Sequence, residues 1–238
     1  MPVRKALATL RSMAADAGPG VAGLYLLHRL LQALGIGRVV PYALVAQPIG
    51  AARASIARAD PNTTVSLARP GEPVTLHFPR PAEVNRARFA SGAICYACQV
   101  KGQFAGTIWL QRGSYEEDEV RCRYVLAEPT TGVWDFDVYV EPAYRLGRTM
   151  SRLWQEVDAD LASQGVRWSF SRISRFNASS LRSHARLGAV TVGKACFVML
   201  GPLQIAWLGR RRGLHLCWSA AARPTLLLKP PPEAIDRG

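Results

Sequence analysis

Residues 133–161, VWDFDVYVEPAYRLGRTMSRLWQEVDADL, carry the clearest local pattern in the chain. The first eight residues alternate apolar and polar side chains, which predicts a β-strand that stops at Pro142. The last part predicts a helix with one apolar face, and Gly165 ends it. That face consists of Met150, Leu153, Trp154, Val157 and Leu161. The stretch therefore predicts a strand–loop–helix unit.

A second helix is predicted within residues 176–189, FNASSLRSHARLGA. Asn177 is placed to cap its N-terminus, and Gly188 is placed to end it as the C′ residue. The runs on either side, VRWSFSRI (166–173) and VTVGKACFVML (190–200), are expected to be strands because β-branched and aromatic residues recur in them.

Before residue 133, the runs AICYACQV (93–100) and FAGTIWLQ (104–111) flank a turn at Gly102 and predict a β-hairpin. The segment PAEVNRARFASG (81–92) predicts a short helix ahead of the hairpin. From residue 82 the order of elements is α-β-β-(β)-β-α-β-α-β, which is typical of an α/β fold with a mixed β-sheet flanked by helices.

Two amphipathic helices are predicted at the N-terminus, the first over residues 3–17 and the second ahead of Gly35. The residues expected to face inward are Val3, Leu7, Leu10, Ala14 and Ala17 in the first, Leu24, Leu27, Leu31 and Leu34 in the second, and Val84 and Ala87 in the helix within 81–92.

These patterns divide the chain into four segments. Residues 1–50 hold the N-terminal amphipathic helices and a first strand, VVPYALVAQPI, and residues 51–81 form a connection. Residues 82–200 form the α/β domain, and residues 201–238 are a C-terminal extension.

The composition is that of a globular protein, with 49% hydrophobic and 20% charged residues among 238. No apolar run reaches the length of a membrane span, and Arg11 interrupts the run in which a cleaved signal peptide would lie. The five cysteines lack the spacing of a disulfide framework or of a metal site. Cys95 and Cys98 are expected to be buried small residues in a reducing, cytoplasmic compartment.

The net charge of +13 favours an anionic partner, such as a phosphorylated cofactor or a membrane surface. Nucleic-acid binding is not expected, because the basic residues are not interleaved with exposed aromatic residues in a recognisable module. Residues 113–142 differ from the rest of the chain, since they hold 8 acidic and only 2 basic side chains.

Two motifs resemble the GNAT superfamily of acyl-CoA-dependent N-acetyltransferases. DVYVEPAYRLGRTMSRL (137–153) is similar to the strand, loop and helix start that carry the superfamily's V-x-P-x-x-R-G-x-G-x-G pattern. The stretch 176–189 is similar to its N-x-x-A/S-x-x-x-Y-x-x-x-G-F pattern, and its matching positions are Asn177, Ser180, His184, Gly188 and Ala189. The resemblance covers residues 82–200 and implies a centrally splayed sheet, in which the strands around 136–140 and 166–172 run parallel and separate.

The resemblance implies acetyl-CoA or another acyl-CoA as cofactor. A helix N-terminus suits a pyrophosphate, because it offers unpaired N–H groups and the positive end of the helix dipole. The residues expected to contact the cofactor are Val138, Tyr139 and Val140 through their backbone, Arg145, Gly147, Arg148, Thr149 and Met150 around the pyrophosphate, and Asn177 and Ser180 on the later helix. Arg148 and Met150 stand where the pattern has glycines, so Arg148 could bind a phosphate or obstruct the loop.

The resemblance also implies two catalytic side chains. Asp137 matches the place of a glutamate that acts as general base, although a strand-end carboxylate paired with an arginine explains it equally well. His184 matches the place of a tyrosine that acts as general acid toward the thiolate, and the alternative is a surface histidine. We expect both side chains to face the splayed gap.

The implied activity is transfer of an acyl group to the amine of a small molecule or of a cell-envelope precursor. The alternative is a catalytically silent GNAT-like binding module. The acidic segment 113–132 is expected to lie beside the acceptor pocket and to favour a cationic amine. The N-terminal helices resemble extensions of polysaccharide-cluster GNAT proteins, so residues 1–34 could rest on a membrane or pack against the domain. The oligomeric state is left open.

Overall fold

The computed structural model describes residues 13–15, 18–50, 60–209 and 212–232. Two compact units divide the chain, and the division into four segments stays a prediction. The first unit comprises residues 1–47, 115–127 and 171–238, and the second comprises residues 48–114 and 128–170. Apart from residues 13–15, the helix predicted over residues 3–17 lies outside the described residues.

Helices and strands follow one another through both units. The helices of eight or more residues are α1 (Pro19–Ala33), α2 (Ala82–Ala90), α3 (Thr149–Ser163) and α4 (Ala178–Arg186). The strands are β1 (Gly37–Pro48), β2 (Thr63–Ala68), β3 (Ile94–Val100), β4 (Gln103–Gln111), β5 (Ser114–Glu116), β6 (Arg123–Leu126), β7 (Gly132–Val140), β8 (Trp168–Ser174), β9 (Val190–Leu200), β10 (Leu203–Trp207), β11 (Leu214–Cys217) and β12 (Thr225–Leu228). Short 3₁₀ turns lie at Pro73–His77, Pro142–Tyr144 and Ala220–Ala222.

In the second unit, β2, β3, β4 and β7 pair in that order, and each pair is antiparallel. The predicted hairpin is the β3–β4 pair, and Lys101 and Gly102 turn the chain with φ of 51° and 76°. Helix α3 packs on β3 and β4 with its apolar face, where Leu153, Trp154, Val157 and Leu161 are buried as predicted.

In the first unit, β9 pairs antiparallel with β1 on one side and with β10 on the other. Strand β11 pairs antiparallel with β10, and β12 pairs parallel with β6. Helices and a combination of parallel and antiparallel strands therefore confirm the predicted mixed α/β class.

The starts of β7 and β8 lie side by side within the second unit. The carbonyl of Thr131, just before β7, accepts hydrogen bonds from the N–H groups of Arg167 (2.7 Å) and Trp168 (3.1 Å) at the start of β8. The chain returns to this edge through α3, as the predicted crossover requires. After Phe170, β8 continues in the first unit, and the predicted separation of the two strands stays a prediction.

The predicted face of α1 is wrong in part, and that of α2 is wrong. On α1, the predicted Leu31 is buried, but Leu27 and Leu34 are 39% and 60% exposed and Val21, which was not predicted, is buried. The rings of Tyr25 and His28 contact Phe176, so the packed face includes these two residues in addition to Leu31.

On α2, Val84 and Ala87 are exposed and Asn85 is buried. The amide of Asn85 donates to the carbonyl of Arg80 at 2.9 Å, which compensates for the burial of a polar side chain. Among the described residues, the helices are too short or too polar to cross a membrane.

Candidate functional site

Strand β7 presents backbone groups at two edges. Glu141 N–H donates to the carbonyl of Ala105 (2.9 Å), the residue that faces it in the β4–β7 register. Because hydrogen-bonded and non-bonded pairs alternate along an antiparallel ladder, the backbone groups of Tyr139 face β4. Those of Val138 and Val140 point to the opposite edge. Of the three residues predicted to contact the cofactor through their backbone, two therefore present it away from β4.

The β4–β7 pair is irregular beside these residues. The register shifts between Trp109 and Leu110, which leaves Phe136 as an extra residue on β7 just before Asp137. Bulges of this kind redirect side chains and increase the local twist. Farther along, Gly106 allows β4 and β7 to approach each other closely, because a Cβ atom at this position would lie 2.5 Å from the carbonyl oxygen of Tyr139.

Arg145 fastens the loop after β7 to the end of that strand. Its Nε donates to the carbonyl of Val140 at 2.9 Å, and its guanidinium lies 5.9 Å from the centre of the Tyr139 ring. That ring in turn stacks on Phe104 with an interplanar angle of 8°. Arg145 is exposed, so it combines a structural contact with a positive charge at the surface.

Helix α3 begins directly after this loop and has an open N-terminus. Arg148 is the N-cap residue, its side chain makes no capping hydrogen bond, and the first turn contains no acidic residue. Residues 145–148 are exposed, whereas Thr149 is buried. The first N–H groups of a helix have no partner within it, so this end offers donors, a dipole and two nearby arginines to an anion.

One turn into α3, the side chain of Arg152 is bound by residues near the start of β2. Its guanidinium donates to Asp60 at 2.5 Å and to the hydroxyl of Thr63 at 3.1 Å. Arg152 therefore ties α3 to the start of β2, and Arg145 and Arg148 are the arginines at the exposed end of the helix.

Asp137 is held in an ion pair. Its Oδ2 lies 2.8 Å from Arg88 and 3.3 Å from Arg80. The guanidinium of Arg88 is also packed between the rings of Trp109 (5.2 Å) and Phe136 (5.1 Å). These contacts match the structural interpretation of Asp137, and its role as a general base stays a prediction.

Helix α4 in the first unit is capped as predicted. Asn177 Oδ1 accepts from the N–H of Ser180 (3.0 Å) and from the hydroxyl of Ser179 (2.9 Å). Gly188 follows the helix with φ of 80°. The cap uses the side chain of Asn177 and the N–H of Ser180, so the contact of these two residues with the cofactor stays a prediction.

His184 is buried, not a surface residue, and is 8% exposed. It lines a pocket in the first unit together with residues of β1 and β9. Asp137 lies in the second unit and His184 in the first, so their predicted approach to one gap stays a prediction.

A buried ion pair in the first unit was not predicted from the sequence. Arg172 of β8 bonds Glu117, whose side chain is fully buried, and its guanidinium lies 5.4 Å from the centre of the Tyr42 ring. Burial raises the pKa of Glu117 to about 7 against the opposing effect of Arg172. Arg172 also contacts Asp118, and Tyr42 bonds Glu119. Much of the acidic segment is therefore matched by partners within its own unit.

Cys95 and Cys98 are free and buried, as predicted for small apolar residues. Burial raises the pKa of both thiols, that of Cys98 to about 11. At neutral pH both stay protonated and therefore weakly nucleophilic.

No protein-family model matches the chain, and no curated protein matches it. Solved structures do. A protein of the GNAT family from Novosphingobium aromaticivorans is 17% identical, with a TM-score of 0.46 over 67% of this chain and 63% of its own. A tandem GNAT protein from the clavulanic acid biosynthesis pathway is 12% identical, with a TM-score of 0.46 over 68% of this chain.

The match spans 54% of that tandem protein, so the chain corresponds to about half of it. A third structure, an aminoglycoside N-acetyltransferase in complex with CoA, is 15% identical, with a TM-score of 0.40 over 56% of this chain and 91% of its own. These are similarities in fold, over 56% to 68% of this chain.

Proposed function

We propose that the chain is an acyl-CoA-dependent N-acyltransferase of the GNAT superfamily, which transfers an acetyl or other acyl group to an amine. The observation that carries this proposal is the arrangement of residues 138–150 in the second unit. Backbone groups of β7 that point away from β4 are followed there by the N-terminus of α3. That N-terminus is exposed, bears arginines and has no capping side chain.

The residues of this arrangement fit a phosphorylated cofactor. Arg148 and the first N–H groups of α3 would hold the pyrophosphate, with Arg145 nearby. The backbone groups of Val138 and the N–H of Val140 would pair with the pantetheine arm, since the carbonyl of Val140 already accepts from Arg145. When bound, acyl-CoA supplies an acyl group that is already activated as a thioester. A backbone N–H of β7 would hold the thioester carbonyl in place and stabilise negative charge on its oxygen.

The acceptor is proposed to be the amine of a small molecule or of a cell-envelope precursor. An amine attacks only after it has lost its proton, which Asp137 is proposed to accept. His184 is proposed to return a proton to the departing thiolate. A cytoplasmic location, with peripheral membrane contact through residues 1–34, is part of the same proposal.

The binding step is tested by thermal unfolding with acetyl-CoA and with longer acyl-CoAs, and ATP serves as a polyanion of unrelated shape. Specific binding at 100 times Kd stabilises a protein by about 2.7 kcal/mol. We expect stabilisation by an acyl-CoA at concentrations at which ATP has little effect. Equal stabilisation by ATP would instead indicate non-specific attraction to a chain with a net charge of +13.

Catalysis by His184 is tested with His184→Ala. Loss of a general acid costs about 10²–10⁴ in rate, so we expect turnover to fall while acyl-CoA affinity changes little. Turnover is followed through release of the CoA thiol, and Arg186→Ala, which changes an exposed residue at the end of the same helix, is the control. Wild-type turnover in His184→Ala would remove the proposed role without affecting the proposed cofactor.

A silent binding module is the second candidate, because Arg148 and Met150 occupy positions where the superfamily pattern has glycines. A silent module would still be stabilised by acyl-CoA. It would release no CoA thiol above the uncatalysed rate with any amine in a panel of aminoglycosides, polyamines and amino sugars.

A further inference from the structure

A pocket in the first unit combines an apolar floor with a positively charged rim. Its volume of about 360 Å³ falls within the range of small-molecule sites. The apolar part of the lining, here called the floor, consists of Ala43 and Val45 of β1, Leu181 and Ala185 of α4, and Ala189. His184, which is buried, and Thr191 add two polar side chains to the lining. Ala43 and Val45 belong to a buried cluster on which Leu181 packs, so the floor is part of the core of this unit.

Three cationic side chains line the pocket, and no acidic side chain does so among the described residues. Arg182 projects from α4 and Lys194 from β9, and both are exposed. Arg175 follows β8, where its N–H donates to the carbonyl of Pro41 at 2.8 Å, which fixes its backbone against β1. Three elements therefore bring positive charge to one opening.

This combination selects a class of ligand. The cations repel an amine, so the pocket does not suit the acceptor of the proposed reaction. A small inorganic anion would leave the floor uncovered, whereas an apolar chain would bury it. A ligand that satisfies both parts has an apolar body and one anionic head.

We propose that this pocket binds a small amphipathic carboxylate. The chain of the ligand lies on the floor, and its carboxylate meets the rim of Arg175, Arg182 and Lys194. The lining contains no residue of β7 or α3, but it includes His184, so the proposal shares the proposed general acid with the proposed function. Neither sequence motif contains Arg175 or Lys194, so the motifs did not predict this pocket.

The proposal is tested by calorimetric titration of the full chain, without acyl-CoA, with octanoate, octylamine and acetate. We expect octanoate to bind with one site per chain and to weaken as salt is added. Acetate should bind at least tenfold more weakly, because it lacks the chain that buries the floor. Octylamine has the same chain and the opposite charge, and we expect no binding.

Three alanine variants on exposed positions locate the site without disturbing the core. Arg182→Ala and Lys194→Ala should each weaken octanoate binding by about tenfold or more, the effect of losing a charge-assisted hydrogen bond. Arg186→Ala is the matched control. Arg186 lies one turn farther along α4, is exposed and does not line the pocket, so its loss should change octanoate affinity less than twofold.

Three results would overturn the proposal. The first is octylamine binding as tightly as octanoate. The second is unchanged octanoate affinity in both Arg182→Ala and Lys194→Ala. The third is displacement of octanoate by CoA, which would make the pocket part of the cofactor site. None of these results decides whether the chain transfers acyl groups, since the titration measures no turnover.

Discussion

Two arginines share one oxygen of Asp137, and only one of them is well buried. The side chain of Arg88 is 10% exposed and that of Arg80 is 53% exposed. Breaking a buried ion pair is costly because it leaves a charge without its partner, whereas exposed pairs contribute little. The structural role of Asp137 therefore depends on Arg88 far more than on Arg80.

Variants of these three residues distinguish a structural role of Asp137 from a catalytic one. We expect Arg88→Ala to lower the free energy of unfolding by about 2–3 kcal/mol, and Arg80→Ala by less than about 1 kcal/mol. Urea unfolding measures both. If Asp137 is a general base, Asp137→Asn lowers turnover by about 10²–10⁴. Turnover within threefold of the wild type in Asp137→Asn would leave the ion pair as its only role.

Glu117 predicts a pH dependence of stability. Burial raises its pKa to about 7, although Arg172 opposes the shift, and Tyr42 and Tyr124 pack nearby. Below the pKa of an unfolded glutamate, about 4.3, both states hold the proton and the contribution to stability is complete. Between that pH and about 7 the unfolded state loses its proton first, so stability falls as the pH rises. Above 7 the contribution of Glu117 is constant.

We expect Glu117→Gln to remove this dependence. Relative to the variant, the wild type should lose about 1–3 kcal/mol between pH 5 and pH 8. Urea unfolding at a series of pH values measures the difference. A wild type that gains stability over this range relative to Glu117→Gln would show that Arg172, and not burial, controls the titration.

At the scale of elements, local signals predicted the helices whose ends and faces are set within the helix. Asn177 and Gly188 bound α4 through capping contacts that the sequence encodes locally. The packed face of α2 could not be read in this way, because Asn85 is buried by its bond to Arg80, and Arg88 by its pair with Asp137 on β7. Arg80 precedes the helix and Asp137 is 49 residues away, so neither partner is visible in the apolar periodicity of the helix, which placed the wrong residues inside.

The N-terminus of α3 makes the departure from the glycine pattern testable. Arg148 is its exposed N-cap residue, and glycine is also accepted at that position, so Arg148→Gly should change helix stability little. If Arg148 binds a phosphate, acyl-CoA affinity falls by about 1.5–3 kcal/mol. Calorimetric titration measures the change, and Arg186→Ala controls for the loss of one positive charge. An increase in affinity would show that Arg148 obstructs the cofactor loop.

For the whole molecule, the sequence predicted the order of elements from residue 82 and the β3–β4 hairpin, but not the pairings of β1 and β2. Strand β1 pairs with β9, and β2 pairs with β3. The sequence patterns place both β1 and β2 in segments outside 82–200. Pairing over such separations depends on long-range burial that no local pattern encodes. For the same reason the sequence showed neither the cationic pocket nor the Glu117–Arg172 pair, since each is assembled from several elements of the first unit.

The pairing predicts that residues 82–200 do not fold alone. In that fragment β9 loses β1 from one side and β10 from the other, and β3 loses β2. Ala195 and Phe197, which are 1% and 0% exposed in the full chain, would lie on a strand with two unpaired edges. We expect the fragment to show no cooperative transition in urea by tryptophan fluorescence, whereas the full chain shows one. Residues 37–50 and 201–207, when added to the fragment, can restore folding only by pairing with β9. Protection of the β9 amides from hydrogen exchange detects that pairing. A cooperative transition in the 82–200 fragment would mean that β9 folds without its two neighbours.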